Sequence, residues 1–138
     1  MEKKPLRVVL DSNIIVSAIL FGNIPDIILQ KVYKKEIQAV ISDVILAELN
    51  DVLIKRFQIP NDKLKKLHRR MQANLELISP RIIINICRDP QDNKIIEAAV
   101  EGNCRYIITG DKDLLVLKEY KEIKIVTAKD FLEEFKAR

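Results

Sequence analysis

A chain of 138 residues is sized for one domain spanning 1–138, and with 48% hydrophobic and 32% charged residues it excludes a disordered composition. No window approaches the roughly 18 consecutive apolar residues of a membrane span, and Met1 to Pro5 lacks the apolar stretch of a signal peptide, so the expected compartment is the cytoplasm. A net charge of +4 with a pI near 9.1 suits a polyanionic partner without specifying one.

Residues 6–10 are short, β-branched and bounded by Pro5 and Asp11, the pattern of a buried strand. Helical periodicity follows over 13–20 and 25–34. Residues 37–41 repeat the strand pattern, and Ser42 is placed to cap a helix running to about Phe57. Pro60, Asn61 and Asp62 open another helix, with Leu64, Leu67, Met71 and Leu75 on one stripe. Residues 81–86 are a third strand candidate. Asp89 and Pro90 start a helix to about Gly102, with proline at its first position and glycine past its end. Residues 105–109 and 123–126 read as strands, and Thr127 caps a last helix carrying Phe131, Leu132 and Phe135. This alternation predicts an α/β fold with a parallel, doubly wound sheet. Ligand sites in such sheets lie beyond the carboxyl ends of the strands.

The acids gather toward that edge. Asp11 directly follows the first strand, where either a helix cap or a cation site belongs. Glu48 shares a helix face with Ile45, Leu49 and Val52. A carboxylate on an apolar face is costly unless paired or metal-bound; the plainer alternative is an ion pair or a side chain at the stripe's edge. Asp92 falls at the third helical position after Asp89, where an acid can complete a capping box, yet it shares a face with Ile95, Ile96 and Ala99. Asp111 follows the fourth strand and is the better ligand candidate of its turn, with Asp113 an additional ligand or an outer neighbour. Four carboxylates at one sheet edge would repel one another, and a divalent cation is the simplest remedy. An oxygen-only set favours Mg²⁺ or Mn²⁺ over Zn²⁺. Such a metal can ionise a water and steady charge on a phosphoryl oxygen, which suits phosphodiester hydrolysis with one metal or two.

Other residue types offer less. Cys87 and Cys104 lack ligand spacing and read as reduced, mostly buried thiols. His68, the only histidine, lies in a segment with five Lys/Arg between 63 and 70 and is expected on the surface, away from catalysis. That segment is either a solvated helix face or a contact to a nucleic-acid phosphate backbone through Lys63, Lys66, Arg69 and Arg70, assisted by Lys55 and Arg56. With three Tyr, four Phe and no Trp, an aromatic base-stacking platform is not indicated.

Four stretches, in order, resemble the PIN domain family and, within it, VapC-like toxins of toxin–antitoxin systems. They are 8–22 (VVLDSNIIVSAILFG), 41–49 (ISDVILAEL), 89–99 (DPQDNKIIEAA) and 106–115 (YIITGDKDLL). The resemblance implies a three-layer Rossmann-like fold with a parallel sheet of four or five strands, and an Mg²⁺- or Mn²⁺-dependent endoribonuclease. It places Asp11, Glu48, Asp92 and Asp111 in the acidic site, with Asp113 as a further member and Asn13 and Thr109 as supporting polar groups. It also implies a homodimer and a cognate antitoxin protein. Two rival readings stand beside it. One is a phosphatase or phospho-acceptor domain using Asp11, weakened by Asn13 where a second acid would be needed. The other is a non-catalytic RNA- or protein-binding module that keeps the fold.

Overall fold

In the computed structural model, which describes residues 4–137, the first strand is β1 (Leu6–Leu10). Two helices follow, α1 (Ser12–Phe21) and α2 (Asn23–Tyr33), turning on each other by 103° at Gly22, whose φ of 71° is open to glycine. β2 (Ile37–Ser42) leads into α3 (Asp43–Asp51), where the Ser42 hydroxyl accepts from the Ile45 N–H as a side-chain cap. α3 then loosens into one π-helical turn, Val52–Arg56, closed by Phe57 N–H donating to the Val52 carbonyl. The expected helix to Phe57 is therefore present, with an altered last turn. α4 (Asn61–Asn74) and the short β3 (Glu76–Ile78) come next. After an irregular segment, α5 (Pro90–Glu101) begins at an Asp89 cap. The chain ends with β4 (Tyr106–Ile108), α6 (Lys112–Leu115), β5 (Glu119–Tyr120), β6 (Ile123–Val126) and α7 (Ala128–Lys136), the last capped by Thr127.

The strands form one sheet in the order β3-β2-β1-β4-β6-β5. Every pairing is parallel except that of β5 with β6. β5 is a two-residue edge piece outside the sequence expectation, so the sheet is five parallel strands, within the anticipated four or five, plus a short antiparallel rim. Helices flank it. α5 packs across β2, β1 and β4, whereas α2 packs on β2 and against α7. Strands covered on both sides read as continuous apolar runs, which is why Val8, Val9, Ala39, Val40, Ile107 and Ile108 are all fully buried. Among the described residues no single helix is long and apolar enough to cross a membrane.

One strand expectation fails. Residues 81–86 form no ladder; the third strand in chain order is β3 at Glu76–Ile78 instead. The backbone of the segment is satisfied by side chains of α5. Asn93 Oδ1 accepts from the N–H groups of Ile86 and Cys87 at 3.0 and 2.9 Å, Glu97 Oε2 from Ile84 at 3.0 Å, and Glu101 Oε1 from Arg81 at 3.0 Å. These acceptors sit at positions i, i+4 and i+8, one helix face. The segment thus runs along α5 as a strap, with Ile84 buried and Ile82, Ile83 and Ile86 exposed.

Gly102 ends α5 as expected, but with φ at −85° it supplies no left-handed turn. Space is the reason. A Cβ there would stand 2.9 Å from both the Ala98 carbonyl oxygen and Val40 Cγ1.

Candidate metal centre

Because β1 and β4 are neighbours, with Leu10 opposite Ile108, the residues that leave them meet at the carboxyl edge of the sheet. Asp11 leaves β1 there and donates its N–H to the Ile108 carbonyl at 3.0 Å. Thr109 leaves β4 and is fully buried. Its hydroxyl donates to Asp11 Oδ2 at 2.7 Å and accepts from the Asp111 N–H at 3.0 Å. One side chain therefore orients one acid and anchors the backbone of a second. Ser12 adds a longer contact, Oγ to Asp11 Oδ1 at 3.4 Å.

Asp92 reaches the same place from the first turn of α5. The Asp89 carboxylate accepts from the Gln91 N–H, so Asp89 caps the helix and Asp92 is free to face inward. It is 6% exposed, and its Oδ2 is buried without a hydrogen-bond partner. The capping-box alternative is therefore not what holds that oxygen. One carboxylate oxygen from each of Asp92, Asp111 and Asp113 lies within 4.8 Å of the others. Asp111 is half-buried and caps α6 through the Asp113 N–H at 2.9 Å, while Asp113 is exposed.

The electrostatics carry the mark of this crowding. The Asp92 carboxyl is pushed up to about 6, first by burial and then by the charge and hydrogen bond of Asp111, with Asp89 and Asp11 adding to the effect. An unpaired buried carboxylate is an expensive state, and a divalent cation relieves it. The trio can hold one, and the all-oxygen donors suit a hard cation.

Glu48 takes the stripe-edge placement of the two alternatives. The buried stripe of α3 and its π turn is Ile45, Leu49 and Leu53; Glu48 flanks it and is exposed as a residue. Its carboxyl end nevertheless turns toward α1. Partial burial raises its proton affinity first and the Asp11 charge raises it further; a hydrogen bond with Ser12 opposes them, and Asp89 contributes last. Glu48 thus edges the Asp11 side of the cluster. Asn13 is exposed and makes no side-chain hydrogen bond among the described residues.

The α4 cations are not brought to the acids. Lys63, Lys66 and Arg70 line a groove with Leu67, Ile59, Ile19 and Leu20. Ile19 and Leu20 are in the far half of α1 from Asp11, about 12–13 Å along the helix axis. The Arg70 guanidinium also lies over the Tyr33 ring, 3.9 Å from its centroid. Arg69 is exposed and lines no part of that groove. His68 is half-buried rather than fully on the surface, and its Nε2 is hydrogen-bonded to Asn50 Oδ1. Both cysteines are free thiols; Cys104 is buried and Cys87 half-buried.

Three contributors escaped the reading of the sequence: Ser12, Asn93 and Glu97. Ser12 was masked by its neighbour Asp11. Asn93 and Glu97 are 4% and 5% exposed, and their spacing of four on an otherwise apolar helix face was the available signal.

Comparison with known proteins agrees with this fold. Residues 7–113 match the family model PIN_3, described as PIN domain. The chain is 32% identical to "Uncharacterized protein MJ1680" of Methanocaldococcus jannaschii, over 98% of this chain and 95% of that protein. Among solved structures it is similar to a chain of VapBC2 from Rickettsia felis, a structure described as bound to a DNA fragment from their promoter. The TM-score is 0.59 at 21% identity, covering 87% of this chain and 97% of that one. It is also similar to PAE2754 from Pyrobaculum aerophilum, with a TM-score of 0.54 at 13% identity and coverage of 98% and 92%.

Proposed function

The chain belongs to the PIN domain family, and on that premise we propose that it is a metal-dependent endoribonuclease, the toxin of a toxin–antitoxin pair. The observation that carries the reading is Asp92, whose Oδ2 is buried without a hydrogen-bond partner and whose carboxylate clusters with those of Asp111 and Asp113. Asp92, Asp111 and Asp113 would hold Mg²⁺ or Mn²⁺, with Asp11 and Glu48 completing the acidic site from the α1 side. Bound there, the cation supplies an acidified water and neutralises charge on a phosphoryl oxygen. Thr109 keeps Asp11 turned toward the cluster and fixes the start of α6. Glu48, whose proton affinity is raised, is suited to accept a proton from the attacking water at its carboxylate.

The partners in this reading are RNA, an antitoxin protein and a second copy of the chain, in the cytoplasm. The family and the likeness to a VapBC2 chain support the antitoxin; the net charge of +4 favours a polyanionic substrate. The test is cleavage of single-stranded and structured RNA with Mg²⁺ or Mn²⁺, with Asp11→Asn as control. Metal-dependent cleavage lost in the variant is expected. No cleavage of any substrate with either metal would overturn the reading, and equal cleavage by the variant would remove Asp11 from the site.

A further inference from the structure

The elements that build the carboxylate site carry little positive charge. α1 and α3 contain neither Lys nor Arg. Lys94, on the second turn of α5, is engaged by Glu97 at 3.5 Å. Arg81 lies at the other end of the strap, where its N–H bonds to Glu101 at the close of α5. Two cations remain. Arg88 immediately precedes the α5 cap Asp89, and Lys112 immediately follows the α6 cap Asp111. Both are exposed, and neither has an ion pair or hydrogen-bonded side chain among the described residues.

We infer that Arg88 and Lys112, rather than the α4 cations, bind the phosphates on either side of the one cut, Arg88 from the α5 side and Lys112 from the α6 side. The inference deepens the nuclease reading and rests on it. A polyanion approaching this edge meets Asp11, Glu48, Asp89, Asp92, Asp111 and Asp113, and a single divalent cation offsets only part of that charge. The remainder must come from nearby. At physiological ionic strength exposed charges are screened beyond about 8 Å. Lys63 and Lys66 line a groove at the distant half of α1, whose Ile19 and Leu20 lie about 12–13 Å along the helix axis from Asp11, whereas Arg88 and Lys112 are chain neighbours of Asp89 and Asp111. Asp89 belongs to this rim, because its charge is felt at Glu48, Cys87 and Asp92. Their freedom from ion pairs also fits, since a cation already paired must lose its partner to take a phosphate.

The experiment is the salt dependence of binding, by fluorescence anisotropy, of a short labelled single-stranded oligoribonucleotide with Ca²⁺ present. Each lost phosphate contact on a single strand makes the slope of log K against log salt shallower by about 0.7. Arg88→Gln/Lys112→Gln should bind more weakly, with a slope shallower by about 1.4, while the charge-matched Lys63→Gln/Lys66→Gln keeps the wild-type slope. Mn²⁺ affinity by calorimetry should be retained in both. An unchanged slope for the Arg88/Lys112 variant, an equal loss in the α4 variant, or lost Mn²⁺ binding would each overturn the inference. Wild-type protein that binds no oligoribonucleotide at any salt would overturn it together with the nuclease reading, which separates that failure from the other three.

Discussion

Replacing Asp92 by Asn should make the metal-free protein more stable at neutral pH, although it removes a proposed ligand. In the folded chain burial and Asp111 push the Asp92 carboxyl from 3.8 up to about 6. Between these values the native state binds the more protons, so stability falls as pH rises through the window. Above it the folded chain carries a charge that the unfolded chain carries without penalty. At about 1.4 kcal/mol for each tenfold change in proton affinity, the ceiling is about 3 kcal/mol. Water reaching the exposed Asp113 side reduces this, so a gain of about 1–3 kcal/mol is expected. Urea unfolding in chelator should show Asp92→Asn ahead at pH 7.5, with the gap closing toward pH 4. Saturating Mn²⁺ should reverse the order, because a ligand at a thousand times its Kd stabilises the native state by about 4.1 kcal/mol, more than the ceiling on the gap, and the variant binds it poorly. A gap of the same size at pH 4 and pH 7.5, or a variant less stable than wild type at pH 7.5 without metal, would refute the reasoning.

Three further outcomes can be checked on the same protein. Thr109→Val keeps the volume but leaves Asp11 Oδ2 and the Asp111 N–H without their partner, so a loss of about 2–3 kcal/mol is expected; a change under about 0.5 kcal/mol in urea unfolding would contradict it. Gly102→Ala places a methyl 2.9 Å from Val40 Cγ1 and the Ala98 oxygen and should cost about 1–3 kcal/mol, read as a lowered urea midpoint with unchanged Mn²⁺ affinity. Glu48→Gln leaves an exposed position filled by a similar shape, so the fold should persist while Mn²⁺ binding weakens. Calorimetry giving an unaltered Mn²⁺ affinity would take Glu48 out of the ligand set.

The strands that carry the site were legible because they are buried on both faces. The runs at Leu6–Leu10 and Ile37–Ser42 need no amphipathic alternation, and an acid or a capping serine marks where each one stops. The helix caps Ser42, Asp89 and Thr127 were legible for the same local reason: a short oxygen-bearing side chain satisfies an N–H two or three residues on. Glu48 was left between two placements because periodicity assigns a residue to a face only within about one position. Ile45, Leu49 and Leu53 take the centre of the stripe, so Glu48 falls on its flank. The isoleucines of 81–86 were read as a strand from composition alone, whereas what decides a strand is where its N–H groups find acceptors. Those acceptors were Asn93, Glu97 and Glu101, residues that reveal their role only when α5 is laid beside the strap. The convergence of Asp92, Asp111 and Asp113 is likewise a product of topology, since it needs β4 beside β1 and α5 across both.

A strand in a sheet has parity: one residue inserted turns every later side chain to the opposite face. The strap between β3 and α5 has none, because it answers to three side chains spaced along a helix and to no neighbouring strand. A residue gained or lost between two of its anchor points can be absorbed as local slack. The sheet on one side and the Asp89 cap on the other stay in place. The stretch of backbone that delivers Asp92 to its site is thereby uncoupled from the length of the connection before it, which leaves this strap open to variation in length.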